Sequence, residues 1–156
     1  MNYEHYTNLI FSDDYHLFLF YSEGPKGVLK KLIIYSPLDD LTDVYNLGFG
    51  TLKINQEGKE YLDGTEVSDN GDRDKILGTI ALTVFSFTDK YPDKKVYLTG
   101  SNKIRTRLYQ MAINHAYGEL SERFIILGDT SDDPDTYHLQ KFVSGINYTG
   151  FVVEKR

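Results

Sequence analysis

"KKVYLTGSNKIRTRLYQMAINHAYGELSERFIILGD", from Lys94 to Asp129, changes its hydrophobic period twice, and those changes decide the fold. "KKVYLTG" reads as a strand, Lys103 to about Leu120 as a helix, and "RFIILGD" (Arg123 to Asp129) as a second strand. Strand, helix and strand at this spacing predict a βαβ unit with a right-handed crossover. The helix opens with Lys103, Arg105 and Arg107. The first turn of a helix carries partial positive charge, so each cation there is unfavourable by a few tenths of a kcal/mol.

On a helical wheel of about 100° per residue, with Ile104 at zero, Leu108, Tyr109, Met111, Ala112, Ala116 and Leu120 spread over a broad apolar arc. Lys103, Arg107, Gln110 and Asn114 lie opposite, whereas Arg105 falls inside the arc beside Ala112. A guanidinium on a buried face needs a carboxylate or a bound anion. One explanation covers both anomalies. A Gly100-Ser101 turn leading into a helix presents free backbone N–H groups, so Gly100, Ser101, Asn102, Arg105 and Arg107 form a candidate site for phosphate or carboxylate. From Asp89 to Arg107 six cations face two acids, a local +4 in a chain of −6, so the remainder carries −10. The alternative is structural: Arg105 pairs with an acid from the cap of the preceding helix, Asp72 or Asp74, while Lys103 and Arg107 point into water. His115 and Glu119, four residues apart, suit a base and its orienter or a partly buried pair, and no nucleophile for them to serve is identified.

Outward from this segment, "YHLFLFYS" (Tyr15 to Ser22) and "GVLKKLIIYS" (Gly27 to Ser36) flank "EGPK" and read as a hairpin. "DVYNLGFGTLKI" (Asp43 to Ile54) extends the sheet, with Gly48 and Gly50 marking a bulge or a close backbone approach. Asn55 to Asp72 is a polar excursion with room for a small hairpin. Ile76, Leu77, Ile80, Ala81, Val84 and Phe85 recur at helical spacing, with Asn70 or Asp72 as cap and an end near Tyr91-Pro92. "TSDDPD" is an acidic loop and "NYTGFVVEKR" a final strand. The sum is an α+β fold: a mostly antiparallel sheet, two main helices packed on it, and one βαβ unit.

At 156 residues, with no linker or repeat, the chain is expected to form one domain with its own hydrophobic core. A net charge of −6 excludes a general affinity for nucleic acid or anionic membrane. Zero cysteines remove disulfides and thiolate chemistry. With no signal segment and no apolar run of membrane length, a cytoplasmic location is expected. "GFGTLK" lacks the third glycine and the helix of a dinucleotide fingerprint, and "SDNGD" places Leu77 where a calcium loop needs glutamate. Asp129, Asp132, Asp133 and Asp135 read as a solvated loop, and His5, His16, His115 and His138 lack metal-ligand spacing, so no metal and no cofactor is expected.

"VYNLGFG" (Val44 to Gly50), "SDNGDRDKILGTIALTVFSFTDKYP" (Ser68 to Pro92), "VYLTGSNKIRTRLYQMAI" (Val96 to Ile113) and the closing "NYTGFVVEKR" together resemble a bacterial family of unknown function, of about this length, with a Gly-Ser-x-x-x-Arg-Thr-Arg-Leu-Tyr pattern. The resemblance implies an aspartate after Phe-Gly and a threonine after Gly-Ser; Thr51 and Asn102 stand there instead. It implies one compact domain, draws attention to Gly100, Ser101, Arg105, Thr106, Arg107 and Tyr109, and carries no activity with it.

Three readings of function follow. The first is a binding module for a phosphate-bearing small molecule or RNA end at the 100–107 turn. The second is a small metal-independent nuclease or toxin-like enzyme, with Arg105 and Arg107 stabilising charge and Tyr109 or His115 moving protons. The third is an interaction domain, pairing with a protein partner or with itself through an aromatic sheet face, in which Arg105 is structural.

Overall fold

The computed structural model describes residues 4–38, 43–64, 70–100, 102–133 and 135–156. They hold two helices and nine strands that pair mostly antiparallel, an α+β fold. Backbone proximity groups the chain into two units that interleave in sequence: Met1–Ser36 with Gly48–Lys90, and Pro37–Leu47 with Tyr91–Arg156. Each unit draws on two separate stretches of chain, which is why no linker is visible.

In the first unit the strands run β1 (Ile10–Phe11), β2 (Leu17–Gly24), β3 (Gly27–Pro37) and the second half of β4 (Val44–Ile54), with β5 (Glu60–Asp63) folded back on β4. The expected hairpin forms: Gly24 faces Gly27 across Pro25-Lys26, and the pairing continues to Leu17 opposite Ile34. This register puts Phe18, Phe20 and Ser22 on one face with Ile33, Lys31 and Leu29. α1 (Arg73–Lys90) covers that face. Its Phe87 ring stacks on Tyr35 at 4.3 Å and 6°, and the Tyr35 hydroxyl bonds Thr83 at 2.9 Å. The buried residues of α1 include Ile80, Val84, Phe85 and Phe87, while Ile76, Leu77 and Ala81 are only half-buried. Thr79, Thr83 and Thr88 are fully buried, and each hydroxyl donates back to a carbonyl of the preceding turn, which makes them tolerable on an apolar face. Of the two β4 glycines, Gly50 serves a close approach: a Cβ there would lie 2.6 Å from the Asp63 carbonyl.

In the second unit the first half of β4 pairs parallel with β6 (Lys95–Leu98). β9 (Gly150–Lys155) lies antiparallel between β6 and β7 (Phe124–Asp129), and β8 (Leu139–Lys141) flanks β7. The βαβ unit is therefore split. β6 and β7 run in the same direction, joined by α2 (Lys103–Arg123), but the last strand fills the gap between them. Phe151, Val152 and Val153 are all buried, on both faces of β9, and a strand apolar on both faces belongs at the centre of a sheet. α2 meets the sheet through rings: Tyr117 stacks on Phe142 at 5.5 Å, and Phe142 lies 6.0 Å from Phe151.

α2 buries only one side of the apolar arc that includes Ile104. Arg105, Thr106, Tyr109, Ile113 and Ala116 are buried, whereas Ile104 is 66% and Met111 51% exposed. The cause is the turn before the helix. Gly100 lies so close that a Cβ there would sit 2.3 Å from the Thr106 nitrogen and 2.8 Å from the Arg105 Cβ. That contact sets the roll of the first turn, and the rest of the helix follows.

Candidate anion site

The start of α2 is built by three short-range bonds. The Asn102 side chain accepts the Arg105 N–H at 2.9 Å, an ordinary N-cap. The Thr106 hydroxyl donates to the Asn102 carbonyl at 3.1 Å and accepts the Gly100 N–H at 2.9 Å. Replacing Gly100 with alanine is expected to lower stability by about 1–3 kcal/mol, because the methyl group meets helix backbone that cannot rotate away. A urea titration of Gly100→Ala checks this, and an unchanged midpoint would show that the turn does not hold the helix.

The structure separates the candidate residues. Asn102 and Arg107 are exposed, as is Lys103, and Ser101 lies outside the described residues. Lys103 and Arg107 are four apart and so share a helix face. Among the described residues neither has an ion-pair partner, and the N–H groups of Lys103 and Ile104 have no acceptor. The first turn carries no acid. Arg105, in contrast, is only 8% exposed, in agreement with its place on the apolar side of the wheel. The acids suggested as its partners are otherwise engaged: Asp72 accepts from the Tyr6 and Ser22 hydroxyls, and Asp74 lies 3.4 Å from the Arg73 Nε.

His115 and Glu119 are exposed rather than within a buried arc. Tyr109 is buried, and burial pushes its phenol up to about 12, with the Arg105 charge partly opposing the rise. A phenol so placed stays protonated near neutral pH. Because its folded value exceeds the unfolded one near 10, the stability it contributes is complete below pH 10 and is lost as pH rises toward 12. The loss amounts to about 2–3 kcal/mol. Tyr109→Phe is expected to flatten this part of the alkaline unfolding curve, which melts between pH 8 and pH 12 would show.

Sequence reading missed a second polar centre in this unit. Asp129, at the end of β7, is 2% exposed. Its Oδ1 accepts the Ser131 and His138 N–H groups, both at 3.0 Å, and its Oδ2 accepts the Tyr97 hydroxyl at 3.2 Å. Burial, then the Asp129 charge, raises the Tyr97 phenol well above its usual value. Asp132, Asp133 and Asp135 are exposed, as the acidic loop predicts. Among the described residues no three His, Asp or Glu side chains gather to hold a metal ion, and no helix is long and apolar enough to cross a membrane. In the first unit the missed residue is Lys31, fully buried, with Nζ donating to Thr51 Oγ1 at 2.7 Å and lying 5.7 Å from the centre of the Phe49 ring.

A family model described as a family of unknown function (DUF6934) matches residues 2–156. No curated protein and no solved structure matches the chain.

Proposed function

We propose that this chain, which belongs to that family of unknown function, is a binding module for a phosphate-bearing small molecule or RNA end, held at the start of α2. The observation that carries the reading is the exposed pair Lys103 and Arg107 at the positive end of a 21-residue helix whose first turn has no acid. Two cations there oppose the helix dipole, and a bound anion removes the conflict. The ligand contacts are the side chains of Lys103, Arg107 and Asn102 with the N–H groups of Lys103 and Ile104. Arg105 supports the site from the buried side of the helix, beside Tyr109. The site also stands beyond the carboxyl end of β6, where α/β sheets commonly hold ligands. A cysteine-free chain of this charge suits the cytoplasm.

The test is a thermal-shift titration with inorganic phosphate and with nucleoside monophosphates, repeated on Lys103→Ala plus Arg107→Ala. A ligand at a hundred times its dissociation constant adds about 2.7 kcal/mol to the folded state. The variant is expected to lose that shift, while its ligand-free stability rises by a few tenths of a kcal/mol for each cation removed. Equal shifts in both proteins, or none in either, would refute the site.

A further inference from the structure

Tyr6 is held in the first unit as a bound ligand would be. Its phenol donates to Asp72 Oδ2 at 2.5 Å and accepts the Glu23 N–H at 2.9 Å. Its ring stacks on Phe20 at 5.4 Å, and Lys75 Nζ lies 4.3 Å from the ring centre on α1. Its own N–H donates to Thr79 Oγ1 at 2.8 Å. The slot has supports that do not depend on its occupant. The Ser22 hydroxyl donates to the same Asp72 oxygen at 2.5 Å and accepts from Asn70 Nδ2 at 3.1 Å. Asn70 also donates to the Gly27 carbonyl and accepts the Lys26 N–H, while Thr79 is anchored to the Lys75 carbonyl. Residues 4–9, which carry Tyr6, belong to no helix or strand. Apart from Tyr6, their described tie to the unit is Glu4 to Lys75 at 3.9 Å.

We propose that this slot is a phenol-binding site whose occupant here is the chain's own Tyr6, and that a tyrosine side chain or a small phenol from outside can replace it. The end of the slot offers an acceptor, Asp72, beside a donor, the Glu23 N–H, and a hydroxyl satisfies both at once. An ammonium has no lone pair for the N–H, and a carboxylate is repelled by Asp72. The ring lies between an aromatic floor and a lysine, which favours an electron-rich face. Burial and the bond to Asp72 keep the phenol protonated, and so a donor. With Tyr6 in place, Asp72 Oδ1 is buried without a hydrogen-bond partner among the described residues. The site lies in the first unit and does not involve α2, so it stands or falls independently of the anion reading.

Two measurements test it. Tyr6→Ala is titrated with p-cresol and, separately, with toluene. A saturable rise in melting temperature with p-cresol, accompanied by a shift of the Glu23 amide resonance, is expected, with a markedly smaller response to toluene. Equal responses would show a mere apolar hole and overturn the proposal. In the wild-type protein, millimolar N-acetyltyrosinamide is expected to speed hydrogen exchange at the Tyr6 amide about tenfold while leaving interior α1 amides unchanged, the mark of local release. No acceleration, or an acceleration spread through α1, would overturn it, and this arm decides alone if Tyr6→Ala does not fold.

Discussion

Phe87→Ala is expected to destabilise the first unit by about 3–5 kcal/mol, the largest loss from any single apolar truncation considered. The ring is completely buried, lies flat on Tyr35, and has the His16 ring 6.1 Å away. Truncation leaves a cavity under the last turns of α1. The walls of that cavity cannot collapse easily, because Tyr35 is also held through its hydroxyl to Thr83. Chemical denaturation is the measurement. Phe87→Leu, which refills most of the volume, should recover more than half of the loss. A loss below about 1.5 kcal/mol would mean that the helix slides to close the gap, and that its position is less fixed than the stacked rings imply.

Asp129→Ala should cost the second unit a similar amount by another route, about 3–4 kcal/mol. It strands two backbone N–H groups and a phenol at a site almost closed to water. Asp129→Asn separates hydrogen bonding from charge. Its amide oxygen can accept both N–H groups, and its amino group can donate to the Tyr97 oxygen once that hydroxyl turns. The asparagine variant should therefore lie within about 1–2 kcal/mol of the parent. If asparagine proves as damaging as alanine, the carboxylate charge itself holds the loop from Thr130 to His138. In either variant the phosphate binding proposed for the exposed start of α2 should be unchanged, because no bond described for Asp129 reaches Lys103 or Arg107.

Elements governed by neighbours in sequence were legible. "LFLFYS" and "LKKLIIYS" are β-rich runs on either side of Gly24-Pro25, and α1 stops before Pro92, because local composition and turn chemistry determine both. The buried face of α2 was not legible. Hydrophobicity alone puts Ile104 and Met111 inward, whereas the contact of Gly100 with the Arg105-Thr106 backbone rolls them outward. Arg105 reads correctly as inward because it lies inside the apolar arc, beside Ala112 and Ala116, on the side that is buried. Lys31 carried no usable signal: Val28, Leu32 and Ile34, which share the parity of Lys30, are as apolar as Leu29, Ile33 and Tyr35 on its own, so period two does not say which lysine turns inward. Asp129 carried none. In "GDTSDDPD" it is one acid among four, and its burial depends on β9, which joins β7 from a distant part of the chain.

The placing of β9 also bears on how the protein is made. During synthesis β6, α2 and β7 all emerge from the ribosome before residues 150–155, yet β6 and β7 do not pair with each other and both wait for the strand that goes between them. Until that strand arrives, each presents an unpaired edge backed by apolar side chains, Val96 and Leu98 on one and Ile126 on the other. Released chains truncated between about residue 130 and residue 149 should therefore be the species that recruit chaperones or aggregate, and full protease resistance of the second unit should appear only when residues 150–155 are present.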